Sequence, residues 1–184
     1  MINVKHNYEG KDKSTFETIK PWLGSALLIP LMVYFTVNEG KFLFIDYINL
    51  LIHEGGHGVF SLFGKFIHAL GGTLMQIIIP GMFVVYYFIH KKIFMTQVFL
   101  VWLAQNLINI SVYAADARAK KLPLLGGKKV YHDWTYLLGE LNLLDYDKIV
   151  GEVFFYLAII IFFIVILLPL NFKEEKRIEL DLKI

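Results

Sequence analysis

Five consecutive residues carry the strongest chemical signal in this chain, His53-Glu54-Gly55-Gly56-His57. They form an H-E-x-x-H pattern, in which two histidines stand four residues apart. On a helix, residues at this spacing project from one face, one turn above the other, so both imidazoles can bind one Zn²⁺. Glu54 lies beside them and can act as a general base toward a metal-bound water. The pattern predicts a metal site with His53 and His57 as ligands and Glu54 as the catalytic base.

The motif leaves the third metal ligand open. A catalytic zinc usually takes three protein ligands and keeps one position for water. The chain has no cysteine, so the third ligand has to be a histidine, aspartate or glutamate. We favour Asp116 over His132 as the third metal ligand, although both can serve, one binding the ion and the other orienting a ligand, and Asp133 is the remaining alternative.

The composition indicates that the motif lies in a membrane protein. The chain is 57% hydrophobic and 16% aromatic, with a mean hydropathy of +0.56, whereas soluble domains are roughly 45–50% apolar. Its net charge of +2 is too small to favour a nucleic-acid partner. Apolar runs near the length of a membrane-spanning helix predict an all-α, polytopic membrane protein with about five transmembrane helices. The predicted spans are Trp22–Val37, Phe42–Phe63, Phe66–Ile89, Ile93–Ala115 and Val153–Leu170.

We expect one integral membrane domain over residues 1–184. Its predicted parts are a polar N-terminal segment (1–20), a four-helix core with the metal site (21–115), a long polar loop (116–151), a last transmembrane helix (152–170) and a polar tail (171–184). Lysine and arginine are more frequent on the side of the N-terminus and the long loop, which predicts that this side is cytoplasmic. We therefore expect a protein of the bacterial cytoplasmic membrane with its N-terminus in the cytoplasm.

Polar residues form stripes on two of the predicted spans. On the second span, Asn49 lies one turn before His53 and is expected to orient its ring. Asp46 lies about 10 Å from His53 along the helix axis, too far to share the ion. The fourth span carries the stripe Gln105, Asn109, Tyr113 and Asp116, and we expect Asn109 and Asp116 to face the metal.

Two further expectations concern the third span. The pairs Gly71-Gly72 and Pro80-Gly81 are expected to interrupt this span and to offer a place where a helical substrate could open. His68 lies near the end of the span and is expected to be an interfacial residue. For Gln76, in the middle of the span, two interpretations stay open, an interhelical hydrogen bond or a position facing the metal.

With these residues in view, the chain resembles the site-2 protease family of intramembrane zinc metalloproteases. The resemblance rests on the H-E-x-x-H motif inside a transmembrane helix and on a polar later helix, whose Asn109 and Asp116-Ala117 are the nearest match to the family's Asn-x-x-Pro and Asp-Gly motif. It covers about residues 42–133. The resemblance implies that Asp116 is the third ligand, that Asn109 binds the substrate, and that the substrate is a membrane protein or peptide.

The predicted function is therefore a membrane-embedded, zinc-dependent hydrolase that cleaves peptide bonds with metal-activated water. Three alternatives stay open. The same ligands and base suit a hydrolase of lipids or small amides. A metal or proton transporter would use the histidines and aspartates as an ion relay, although it would not need Glu54. A membrane scaffold with a vestigial site would bind no metal.

Overall fold

The computed structural model describes residue 19, residues 22–122 and residues 132–171 of the 184-residue chain. These residues form α-helices, short 3₁₀ turns and loops, with no β-strand, so the predicted all-α class is confirmed. The N-terminal segment 1–18, the residues 123–131 and most of the tail lie outside the described residues, together with the expectations made for them. The α-helices are α1 (Leu23–Val37), α2 (Phe44–Phe60), α3 (Lys65–Ile89), α4 (Ile93–Ala115), α5 (Asp133–Glu140) and α6 (Asp147–Leu167).

Helix α4 is the core of the fold. It packs against α1, α3 and α6, and 56% of the residues in its most apolar 18-residue stretch are buried. Polar side chains of α4 are buried as well, and they form hydrogen bonds to neighbouring helices. The side-chain amide of Gln97 donates hydrogen bonds to the Ser25 hydroxyl of α1 (2.7 Å) and to the backbone carbonyl of Val165 in α6 (2.9 Å). Because amides in an apolar bundle need partners, these bonds fix three helices together.

Helices α2 and α3 pack closely through small residues. A Cβ atom added at Gly71 would stand 2.8 Å from the carbonyl oxygen of Gly56, and one added at Gly56 would overlap the carbonyl of Gly71. Glycine at both positions therefore lets the two backbones touch, as small residues do in membrane helix pairs. This contact brings the α2 motif against α3.

The expected interruption of the third span does not occur. Helix α3 is continuous through Gly71-Gly72 and through Pro80. The physical reason is that a helix in an apolar environment keeps its backbone hydrogen bonds within the segment, and here the glycines serve the contact with α2. The break lies before the helix, at Gly64, whose φ of +84° is a backbone conformation that favours glycine.

Among the described residues, three helical segments are long and apolar enough to cross a membrane: α3, α4, and α6 with its flanking 3₁₀ turns. Helix α1 is apolar but has only 15 residues, and the 17-residue α2 carries the buried polar stripe. Much of the outward surface of α1, α3 and α6 is formed by exposed large apolar side chains, which suits contact with lipid. The described residues are therefore compatible with a membrane protein.

The stretch expected to be a long polar loop contains structure. Helix α5 lies within it, and α6 begins at Asp147, earlier than predicted. Arg118, just after α4, donates from Nη2 to the carboxylate of Asp147 at 2.6 Å, which joins the end of α4 to the start of α6. The hydroxyl of Thr135 in α5 donates to the carbonyl of Ala117. Helix α5 is thus held against the end of α4.

Candidate metal centre

Helices α2 and α5 bring together three side chains that could bind a metal ion. The Nε2 atom of His53 lies 3.2 Å from Oδ2 of Asp133, and the Nε2 atom of His57 lies 3.3 Å from the same oxygen. The two imidazole rings are adjacent, with centroids 4.9 Å apart. His53 and His57 point the same way because they are one helical turn apart, while Asp133 is the first residue of α5.

The second ring nitrogen of His57 is held by the backbone of α3. Its Nδ1 lies 2.8 Å from the carbonyl oxygen of His68. A carbonyl oxygen can only accept, so Nδ1 carries the proton, and in a neutral imidazole Nε2 then presents a lone pair. In return, Nδ1 of His68 donates to the carbonyl of His57 at 2.9 Å. These reciprocal bonds fix the orientation of the His57 ring.

The tautomer of His53 is fixed by a chain of amides. Asn106 donates from Nδ2 to the carbonyl of Trp102 (3.0 Å), so its Oδ1 is free to accept from Nε2 of Gln76 (3.2 Å). Gln76 therefore turns its Oε1 toward Nδ1 of His53, at 2.8 Å. Because Oε1 accepts, Nδ1 of His53 carries the proton and Nε2 again presents a lone pair. The chain starts from a backbone carbonyl, which leaves no freedom to reverse the amides.

Three electron-rich atoms thus face one another. With both histidines neutral, two Nε2 lone pairs and one Asp133 carboxylate oxygen meet with no proton between them. These atoms repel one another unless positive charge lies between them. Protons on the imidazoles or a bound metal ion would supply that charge. Hydrogen bonding of the second ring nitrogen to an oxygen acceptor is also the usual arrangement of metal-binding histidines.

The distances fit a small tetrahedral ion. Ligands that are about 2.0–2.1 Å from a tetrahedral Zn²⁺ lie about 3.3–3.4 Å from each other. The two separations from Asp133 Oδ2 are 3.2 and 3.3 Å, and all three ligand atoms lie within 4.8 Å of one another. The donor set and the two separations from Asp133 Oδ2 are therefore those that a divalent ion requires.

Asp133 is suited to bind as a carboxylate. Burial by itself would raise the pKa of its carboxyl group, but hydrogen bonds from His53 and His57, when their imidazoles are protonated, outweigh that effect and hold the pKa well below its usual range. Its side chain is 15% exposed. Tyr113 of α4 lies on its other side, where the phenol donates to Oδ2 and accepts from the backbone N–H of Asp133, both at 3.2 Å.

The group opens into a cavity of about 840 Å³ that runs along the polar face of α2. This volume is in the range of small-molecule and cofactor sites. Glu54 lines the same cavity as the three ligand residues, and so do Asn109 and Tyr113 of α4. A Cβ atom added at Gly55 or Gly58 would meet nothing within 4 Å, so these two glycines border open space, unlike Gly56.

Asn109 is oriented by a buried carboxylate at the far end of the cavity. Asp46, which is 4% exposed, accepts hydrogen bonds at Oδ1 from the amides of Asn49 (3.2 Å), Gln105 (2.5 Å) and Asn109 (2.6 Å). Its Oδ2 accepts from the backbone N–H of Leu43 at 2.6 Å, which satisfies an amide at the start of α2. Since the amide nitrogen of Asn109 is bound to Asp46, the Asn109 oxygen is the atom left for another donor.

The structure does not bring Asp116 and His132 to the two histidines of the motif. Asp116 accepts hydrogen bonds from the backbone of Lys121 (3.0 Å) and Leu122 (2.9 Å), so its carboxylate closes the turn after α4. His132 caps α5, where its Nδ1 accepts from the N–H of Thr135 at 3.3 Å. Nε2 of neutral His132 then carries the proton, and it lies 3.6 Å from Oδ2 of Asp116.

The carboxylate that lies next to both imidazoles is that of Asp133, the remaining alternative for a third ligand, and not a group of Asp116 or His132, which the sequence favours. The lone pair of His132 is used within α5, and burial lowers the pKa of its imidazole despite the nearby carboxylate of Asp116. Asn49 likewise does not orient His53, because it binds Asp46 and accepts from Trp102. Gln76 has that position instead.

The sequence carries a signal for α5. Trp134, Leu137 and Leu138 are all buried, and their spacing of three and one is that of a helix with one apolar face. Recognising this helix would have placed Asp133 in its first turn. It would not have shown that the turn faces His53, because this depends on how α5 docks on α4.

A comparison of the chain with models of known protein families, with curated proteins and with solved structures finds no match.

Proposed function

We propose that this chain is a membrane-embedded, zinc-dependent hydrolase and that it acts as an intramembrane metalloprotease. The observation that supports this best is the meeting of two imidazole lone pairs with the Asp133 carboxylate in a cavity that also contains Glu54. Two histidines and one carboxylate form a donor set found in catalytic zinc sites, which keep a position open for water. Fe²⁺ and Co²⁺ accept the same ligands, and zinc is favoured by the imidazole-rich donor set.

An ion bound there would supply Lewis acidity, which activates water and polarises a carbonyl. The remaining steps belong to residues of the chain. Glu54 takes the proton from the attacking water and delivers it to the amine that leaves when the peptide bond breaks, so one water molecule is consumed for each new carboxyl and amino group. Asn109 binds the substrate through its free amide oxygen, because Asp46 holds the nitrogen.

The proposed setting is the bacterial cytoplasmic membrane, with the N-terminus and α5 on the cytoplasmic side. Basic residues that flank the described helices support this orientation. Five lie on the side of the α2–α3 turn and α5, and three lie on the opposite side. The five are Lys65, Arg118, Lys120, Lys121 and Lys148, and the three are Lys41, Lys91 and Lys92.

The first test is the metal content of the purified, detergent-solubilised chain. We expect about one zinc per wild-type chain, and its loss in His53→Ala, His57→Ala and Asp133→Ala. Asp116→Ala is the matched control, because it removes a carboxylate from the same region that does not face the imidazoles, and it should keep the metal. A wild-type protein that binds no divalent ion would contradict the proposal, and a protonated histidine pair would then explain the geometry.

The second test separates hydrolysis from metal binding alone. Glu54→Gln keeps the size of the side chain but removes the base, so we expect the metal to stay bound and cleavage to stop. Cleavage can be measured on a panel of single-span reporter proteins co-expressed in the same membrane. Cleavage by the wild type that continues in Glu54→Gln would show that Glu54 is not the base. A transporter would bind metal and release no fragments from any reporter, whereas a scaffold with a vestigial site would bind no metal and also release none.

A further inference from the structure

Tyr113 binds the third candidate ligand at two points. Its hydroxyl donates a hydrogen bond to Oδ2 of Asp133, and it accepts one from the backbone N–H of the same residue, both at 3.2 Å. One side chain of α4 therefore fixes both the start of α5 and the rotation of the Asp133 carboxylate. The oxygen that Tyr113 contacts is also the one that lies next to both imidazoles.

The ring of Tyr113 is itself held in place. Its centroid lies 4.4 Å from the ring of His132 and 5.8 Å from the ring of His53. It projects from α4, the most buried of the three long apolar helices. Tyr113 thus connects a rigid helix of the bundle to a short helix that lies outside the three long apolar spans.

We propose that Tyr113 is a positioning residue that turns Oδ2 of Asp133 toward His53 and His57, so that Asp133 binds a metal through one oxygen. This inference rests on the metal site of the proposed function and adds a residue that the motif does not include. In this scheme the phenol acts through Asp133, which it contacts at both the side chain and the backbone.

The physical argument concerns the freedom of a carboxylate. An aspartate has two equivalent oxygens, and rotation about its side chain exchanges them or presents both to a cation. A hydrogen bond from Tyr113 to one oxygen, combined with the bond from the Asp133 N–H, leaves a single orientation. Groups that orient metal ligands in this way typically change metal affinity by about 10–100-fold when they are removed.

The test uses Co²⁺ as the probe, with the full-length chain in detergent after removal of bound metal. Co²⁺ accepts the same ligands as zinc, and its visible absorption depends on the number and geometry of the ligands. Tyr113→Phe removes one oxygen atom and keeps the ring. We expect its Co²⁺ affinity, measured by chelator competition, to fall by about 10–100-fold and its absorption bands to change in position and intensity.

The matched control is Tyr136→Phe, which removes a phenol oxygen from the lining of the same cavity. It should leave both the affinity and the spectrum unchanged. Asp133→Asn serves as the reference for loss of the ligand itself, and it should weaken binding more than Tyr113→Phe does.

The outcomes separate this inference from the proposed function. A wild-type chain that binds no Co²⁺ overturns the metal site and the inference with it. If the wild type binds Co²⁺ and Asp133→Asn weakens binding, but Tyr113→Phe has the affinity and spectrum of the wild type, only the inference fails. It also fails if Tyr113→Phe binds more weakly with an unchanged spectrum, because general loss of stability then explains the effect.

A second variant covers the case in which Tyr113→Phe is recovered only as an aggregate. Trifluorotyrosine at position 113 keeps the shape of the side chain and its hydroxyl group, and it makes the hydroxyl a stronger donor. The Co²⁺ bands should then shift relative to those of the wild type. A spectrum identical to that of the wild type would overturn the role of Tyr113.

Discussion

A single methyl group on α3 should displace the ring of His53, the first of the three candidate metal ligands. A Cβ atom added at Gly72 would stand 2.5 Å from Nε2 of His53 and 2.5 Å from Cε1 of the same ring. Ordinary contact begins at about 3.4 Å, so the ring or the helix has to retreat by about 0.9 Å. The variant Gly72→Ala therefore tests the position of His53 without changing any polar group.

The expected loss of metal affinity in Gly72→Ala follows from how tightly the His53 ring is held. His53 is bound at Nδ1 by Gln76 and faces Asp133 at Nε2, so it has no free direction in which to turn. Metal–ligand distances tolerate deviations of about 0.2 Å, and a shift of about 0.9 Å is several times larger. We expect the loss of one effective ligand, with metal affinity lowered by about 100-fold or more, which corresponds to about 2.8 kcal/mol.

The control for this variant lies on the same helix. A Cβ atom added at Gly81 meets nothing within 4 Å, so Gly81→Ala changes helix propensity by the same amount without touching the site. The assay is zinc affinity by chelator competition, together with thermal unfolding of each variant with and without zinc. Overpacking should also destabilise the metal-free Gly72→Ala protein by about 1–3 kcal/mol.

The reasoning would be refuted by a folded Gly72→Ala protein with the zinc affinity of the wild type. The His53 ring would then not lie against Gly72, and the close contact between α2 and α3 would be wrong. Equal weakening in Gly72→Ala and Gly81→Ala would also refute it, since the effect would come from helix α3 in general.

Two further predictions concern the supports of the site and of the fold. Gln76→Leu removes the acceptor for Nδ1 of His53, and we expect zinc affinity in chelator competition to fall by about 10–100-fold; unchanged affinity would show that the amide does not orient the ring. Asp147→Asn replaces the buried carboxylate that binds Arg118 with a neutral amide. This change should lower the melting temperature by a few degrees. Asp145→Asn is its control, because Asp145 is 91% exposed and its ion pair should contribute little; equal melting temperatures in the two variants would argue against the α4–α6 connection.

The helical bundle could be predicted well because its signal is local. Apolar runs identify helices by length and composition, and the predicted fourth span, Ile93–Ala115, agrees with α4 at both ends. The first span starts one residue before α1 and ends with it, and the second extends beyond α2 by two residues at its start and three at its end. The prediction of an interrupted third span was wrong, because glycine and proline in the sequence suggest a break that packing prevents. Helix α3 stays helical through these residues because neighbouring helices and the apolar surroundings favour it.

The residue that hydrogen-bonds to the His53 ring and orients it was harder to infer. Asn49 and Gln76 are both amides near the motif, and spacing along α2 favours Asn49. The structure gives that position to Gln76, since α3 packs against the motif through Gly56 and Gly71. Sequence spacing within a helix shows which residues share a face, but it does not show which residue of another helix meets them.

The sequence by itself determined the two imidazoles, the adjacent glutamate and the helix that carries them, because all three follow from a spacing of four residues on one helix. Only the tertiary structure decided which carboxylate completes the group. His132 and Asp133 are adjacent in the chain, and adjacent residues at the start of a helix point in different directions, while Asp116 lies at the end of another helix. The docking of α5 on α4, fixed by Tyr113 and Thr135, turns Asp133 toward the histidines and leaves His132 to cap the helix.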